Sequence, residues 1–225
     1  KLVSRLIWQR MIMMDNLLGK KIDRSKAILG TIILLIGVFG LFYGPPLIST
    51  FSLCITGFIS FWIVFGGKGI NDLFSKPVAP IRNILFYLIL NILLSIGTSF
   101  LLLRVLHWNL HGNSATESFQ PILLIAIPIM ILGEELLSLF FLSLFSSKFS
   151  VILSNIFSAL IFALLHYSTY NNGNIFHTLV HITIIQGVAR ILFNQSAIRS
   201  NSIITSWIVH VLFDFLALVL AFYIL

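Results

Sequence analysis

Acidic residues are scarce in this chain: 225 residues include only seven Asp and Glu. Charge of either sign is thin, at 9% of residues, against about 25% in soluble domains. Together with 58% hydrophobic residues, this excludes an ordinary soluble globule and leaves an integral membrane protein. Cysteine is reduced to Cys54, which excludes a disulfide framework or a CxxC metal site; Cys54 reads as a small apolar core residue. Polar stretches stop at roughly 25 residues, too short to bury a core of their own. One membrane domain is therefore the economical organisation. Neither an internal repeat nor a low-complexity segment is evident. The net charge of +7 is not accompanied by basic residues interleaved with aromatics on a soluble surface, so nucleic acid is not an expected partner. Basic residues gathering in cytoplasmic loops explain the excess better.

Two segments are expected. Residues 1–26 hold seven Lys/Arg and two Asp, with Leu2, Leu6, Ile7, Trp8, Met11, Ile12, Met14, Leu17 and Leu18 in a partly helical pattern. This reads as a basic amphipathic helix lying on an anionic leaflet, or as a basic tail that fixes orientation. It lacks the apolar core and cleavage site of a signal peptide. Residues 27–225 read as the transmembrane domain. The expected spans are 27–43, 47–65, 84–103, 121–145, 151–166, 175–193 and 203–225, with Gly44-Pro45-Pro46 and Gly66-Gly67 ending the first two. The fold class is all-α, a polytopic bundle of about seven spans. With the N-terminus inside, 13 of the 14 Lys/Arg fall on the cytoplasmic side and Arg104 alone lies outside, satisfying the positive-inside rule. The expected location is the cytoplasmic membrane, with lipid as a partner.

Against this background a few side chains are out of place. Glu134, Glu135 and Asp214 fall inside apolar stretches, as do His166 and His210. An ionisable group within a bilayer costs at least about 2.5–3.5 kcal/mol, so such groups usually serve function. Adjacent helical residues point about 100° apart, so Glu134 and Glu135 cannot face one point equally. One is expected to face a cavity while the other orients it or pairs with a neighbouring helix. A buried glutamate can serve as a general base. Phe162 and His166 are spaced i, i+4 and share a helix face, as do His210 and Asp214.

Taken in order, the pieces are Glu134-Glu135-Leu136-Leu137-Ser138-Leu139, Phe162-Ala163-Leu164-Leu165-His166 and His210-Val211-Leu212-Phe213-Asp214. This set resembles the CAAX proteases and bacteriocin-processing proteins, also called Abi proteins, a family of intramembrane endopeptidases. The family pattern is EExxxR, then FxxxH, then HxxxN or HxxxD. The resemblance covers the motif-bearing half, 121–225. One position departs from it: the arginine expected at the end of the first motif is Leu139. Either another cation substitutes, Arg190 being the nearest candidate, or one glutamate keeps a proton.

The resemblance implies roles. Glu134 would activate a water, His166 would hold that water, and His210 would donate to the developing oxyanion. Glu135 completes the pair. Asp214 would fix the tautomer of a nearby histidine, or Glu134, His166, His210 and Asp214 would hold a zinc ion; the metal-free form is preferred. The implied substrate is a membrane-associated peptide or protein. Relatives trim prenylated CAAX proteins or are linked to bacteriocin maturation, self-immunity and peptide signalling. Loss of the arginine also favours a non-proteolytic immunity or scaffold protein. A proton or ion transporter ranks last, because inverted repeats are not recognisable. His177 and His181, also i, i+4, read as packing residues rather than metal ligands. His107 and His111 read as solvated loop residues.

Overall fold

The computed structural model describes residues 17–110 and 122–224. The helices are α1 (Arg24–Tyr43), α2 (Pro46–Leu73), α3 (Pro80–Phe100), α4 (Leu123–Ser146), α5 (Val151–Leu165), α6 (Ile175–Ile182), α7 (Val188–Ser200) and α8 (Ile203–Ile224). A π-turn at Leu101–Val105 extends α3. Another, Thr183–Gly187, joins α6 to α7. A single helical turn, Tyr167–Tyr170, follows α5. No strand occurs among the described residues, and the fold is the all-α polytopic bundle expected.

Local chemistry sets the helix ends. Asp23 caps α1 by accepting the Lys26 N–H at 3.0 Å, and Ser150 and Asn174 cap α5 and α6 in the same way. Pro46 and Pro80 stand in the first turns of α2 and α3, where a missing N–H costs nothing. Asn201, in the left-handed region at φ 59°, ends α7.

Among the described residues, five helical segments are long and apolar enough to cross a membrane: Arg24–Tyr43, Pro46–Leu73, Pro80–Val105, Leu123–Ser146 and Ile175–Ser200. Val151–Leu165 and Ile203–Val219 are shorter apolar helices. All seven expected spans thus exist as helices, with changed limits. The second is interrupted at Gly66-Gly67 as expected: Gly66 adopts φ 70°, ψ -178°, outside the helical region, and a further helical stretch then continues to Leu73. The sixth runs through its π-turn to Ser200. Arg190, counted above on the cytoplasmic side although it falls inside the expected sixth span, is fully buried within a helix. Removing it leaves twelve basic residues on the inner side. The interfacial helix expected over 1–26 lies mostly outside the described residues. Within them, 17–19 form a turn and Leu17 is buried.

The helices pack in two groups. α1 lies on α2, α2 on α4, and α4 on α5, around a core that includes Leu34, Leu53, Phe61, Leu136 and Phe140. α8 lies on α3, α4 and α7, around Tyr87, Ala189, Phe193 and Val209. Lipid is as apolar as Leu, so close backbone approach and polar bonds must supply the association. Gly57 and Gly133 provide such approach between α2 and α4. Pro128 does not break α4, and its carbonyl accepts the Trp207 indole N–H at 2.8 Å, tying α8 to α4.

Gly133 is the critical contact, one residue before the glutamate pair. A Cβ there would meet the Cys54 backbone N at 2.7 Å and the Leu53 carbonyl carbon at 3.0 Å. Gly133→Val is expected to destabilise the protein by about 1–3 kcal/mol through overpacking, seen as a lowered Tm in detergent. Gly97→Ala, where nothing lies within 4 Å, is expected to leave Tm unchanged.

Candidate active site

Glu134 and Glu135 come from the middle of α4, Arg190 from the first turn of α7, and His210 and Asp214 from α8. His166 caps the C-terminus of α5. The 100° step between adjacent residues separates the two glutamates as expected. Glu135 is fully buried and ion-paired with Arg190, Nη2 to Oε1. The Glu134 side chain keeps 22% exposure and lines a cavity of roughly 290 Å³.

Arg190 is enclosed on every side. Its guanidinium carbon stands 4.7 Å from the Phe162 ring centre and 4.8 Å from that of Phe193, a double cation–π contact. Phe193 also stacks on His210, with centres 4.2 Å apart. His210 Nδ1 lies 2.9 Å from Glu135 Oε1. A carboxylate only accepts, so Nδ1 carries the hydrogen. Arg190 Nη2 and His210 Nδ1 are 3.4 Å apart because both donate to that one oxygen. His210 Nε2 is left 3.8 Å from Glu134 Oε2 and 3.8 Å from Asp214 Oδ1. Glu135, not Asp214, therefore holds the Nδ1 side of this ring. Asp214 has a side chain 41% exposed and is not among the residues that line the cavity.

His166 is fixed locally. Its Nδ1 lies 2.8 Å from the Phe162 carbonyl, which can only accept, so Nδ1 donates and Nε2 keeps its lone pair. The two rings lie 4.5 Å apart. The same Phe162 thus touches His166, Arg190 and, at 6.1 Å, His210. His166 lines the cavity with Glu134; Leu41, Leu53, Met130 and Leu165 supply much of its apolar wall.

The zinc alternative needs a compact donor set. Among the described residues no group of three or more His, Cys, Asp or Glu is placed to hold an ion. His177 stacks on Trp108 at 4.0 Å, and His181 meets the edge of Tyr170 at 5.0 Å. Both serve as packing residues. His107 stands in the left-handed region at φ 53°; His111 lies outside the described residues. Sequence reasoning missed the depth of Arg190 and the part played by Phe193. The signal for Arg190 was present: it is the one Lys, Arg, Asp or Glu in the expected span 175–193, the same anomaly that singled out the carboxylates.

The molecule so described is a polytopic helical membrane protein with a carboxylate, arginine and histidine centre between its helices. Residues 116–216 match the family model for type II CAAX prenyl endopeptidase Rce1-like proteins. That stretch contains every motif residue quoted above, and the match is consistent with the CAAX protease and bacteriocin-processing family. The family consists of intramembrane proteases. No curated protein and no solved structure matches the chain.

The two glutamates are expected to respond differently to neutralisation. Glu135→Gln leaves Arg190 as an unpaired buried charge and costs about 3–5 kcal/mol. Glu134→Gln loses no direct hydrogen bond and costs less than about 1 kcal/mol. Thermal unfolding of both variants in the same detergent checks this. Equal losses would mean that the pair is not divided as described.

Proposed function

We propose that this protein is an intramembrane endopeptidase that cleaves a membrane-associated peptide or protein by glutamate-activated water. One observation carries the reading: Glu134 lines a cavity with His166 on one side, while His210 Nε2 stands 3.8 Å from it on the other. A peptide carbonyl entering that space meets a base, a water-holding acceptor and a donor together.

The steps follow from the hydrogen positions. His166 Nε2 accepts a hydrogen from the water and orients it. Glu134 takes the water's other proton as its oxygen adds to the scissile carbonyl. The oxyanion is met by His210 Nε2–H, the ring acting as an imidazolium whose charge is faced by Glu134, Glu135 and Asp214. Glu134 then returns its proton to the leaving nitrogen, and the C–N bond breaks. No acyl-enzyme forms, because no Ser or Cys occupies a motif position. Asp214, 3.8 Å from Nε2, adds negative charge beside the imidazolium.

Twelve Lys/Arg on one side favour an N-terminus inside the cell membrane, with lipid around α1–α3. The non-proteolytic immunity reading drew on the missing arginine at Leu139. The ion pair of Arg190 with Glu135 supplies that counter-charge and removes most of its support.

Purified wild type is expected to cleave members of a membrane-peptide library followed by mass spectrometry, and Glu134→Ala to fall to background. Cleavage at background by both proteins sinks the protease reading and returns the immunity protein to first place. A strong chelator is expected to leave the wild-type rate unchanged. A loss reversed by added zinc would overturn the metal-free mechanism.

A further inference from the structure

Arg190 owes its position to a local irregularity. The π-turn Thr183–Gly187 lies immediately before α7. One such turn inserts about one extra residue and rotates the remainder of the helix by about 100°. In an unbroken α-helix, Arg190 would stand in register with Leu179 and Thr183, both exposed. With the insertion it falls in register with Thr178 and Ile182, both fully buried. The helix thus turns a cation from its outward face to its inward face, where Phe162 and Phe193 close on it.

We propose that Arg190 is a positioning residue for the reaction, acting through Glu135 to set the ring of His210. This rests on the reading of Glu134 as the base. The planar guanidinium is held between the Phe162 and Phe193 rings, and its Nη2 donates to Glu135 Oε1, so it fixes the place of that oxygen. Glu135 Oε1 in turn fixes the hydrogen on His210 Nδ1. The tilt of the His210 ring and the bond its Nδ1–H makes are thereby decided from α7, a helix that contributes no reacting atom. Within α4, the residue one turn after Glu135 is Leu139, buried in the core. The cation that a helix would ordinarily offer its own carboxylate at i+4 arrives here from another helix.

A double variant separates positioning from simple structural support. E135L/R190L removes both charges and leaves neither unpaired, and such replacements are often neutral in stability. The full-length wild type and variant are compared in detergent by Tm, by kcat and KM on one cleaved peptide, and by the imidazole 15N spectrum of His210. The variant is expected to fold with a near-wild-type Tm. Its kcat should fall about 100-fold, the scale of a small misplacement of a catalytic group, with KM within about twofold. The fixed Nδ1–H signature should be lost. A variant that keeps wild-type kcat and the same Nδ1–H signal overturns the proposal. R190K decides the matter if the double variant does not fold: it keeps the charge but not the planar group held between the two rings. Its kcat should fall about tenfold with KM unchanged, and wild-type kcat would overturn the proposal. If the wild type cleaves nothing, the protease reading falls. The spectrum then still decides whether Arg190 sets His210: an unchanged Nδ1–H signal in the variants sinks the proposal, and a shifted or lost one upholds it.

Discussion

A single buried ion pair, Arg190 with Glu135, constrains the motif-bearing half of this protein. Neither group has side-chain exposure, and either one alone would be an uncompensated charge in a low-dielectric interior. Breaking such a pair typically costs about 3–5 kcal/mol. The pair therefore fixes the relative rotation of α4 and α7. His210 joins at the same carboxylate oxygen, which adds α8 to the constraint. Phe162 brings in α5 through its contact with the guanidinium. Four helices are thus referred to one carboxylate, and the orientation of Glu134 is set by the same constraint. With Glu135 committed to Arg190, the 100° step along the helix leaves Glu134 to face the cavity.

A second set of polar contacts reinforces this arrangement one turn along the same helices. Asn194, four residues after Arg190, donates to Asn155 Oδ1 at 2.7 Å and to Ser158 Oγ at 3.3 Å. Ser158 donates to the Ser138 carbonyl at 2.7 Å. These groups are buried, and each bond crosses between helices. Individual bonds of this kind contribute only about 0.6–2 kcal/mol in membranes. Their value lies in direction, because they set helix rotation where apolar packing against lipid cannot. α1–α3 show the contrast: many of their large apolar side chains are exposed, as expected for surfaces that lie against acyl chains.

Much of this was legible in the sequence because bilayers make charge informative. Glu134, Glu135, His166, His210 and Asp214 each stood out against apolar surroundings, and i, i+4 spacing placed two pairs on common faces. The helices themselves were readable from length and hydropathy. Their limits were less so, for local reasons. Gly66 marked an end, and its non-helical backbone does break the helix there, but helical geometry resumes up to Leu73. Arg190 was counted on the cytoplasmic side because the expected sixth span closes at Phe193, just before Asn194, Gln195 and Ser196. Those residues are polar but lie in the helix, and Asn194 and Ser196 are buried in it. The π-turn that aims Arg190 leaves no mark in a 3.6-residue periodicity, so the match of Arg190 to Glu135 was reachable as a candidate but not as a geometry.

The division of the cavity between the two halves of the chain has a consequence for the proposed activity. The family match spans 116–216 and includes every group assigned a chemical role. The cavity in front of Glu134 is nevertheless walled in part by Leu41 and Phe42 of α1 and by Leu53 of α2. These side chains lie outside the matched stretch. They are brought to the site by the close approach of α2 and α4 at Gly57 and Gly133. An apolar wall discriminates between substrates by shape, about 1–3 kcal/mol for each methylene, without touching the reacting atoms. On this reading the matched half performs the hydrolysis, and the first two helices decide which membrane peptide reaches it. The two functions meet at Gly133, where the backbone contact that seats α2 also sets the height of the base.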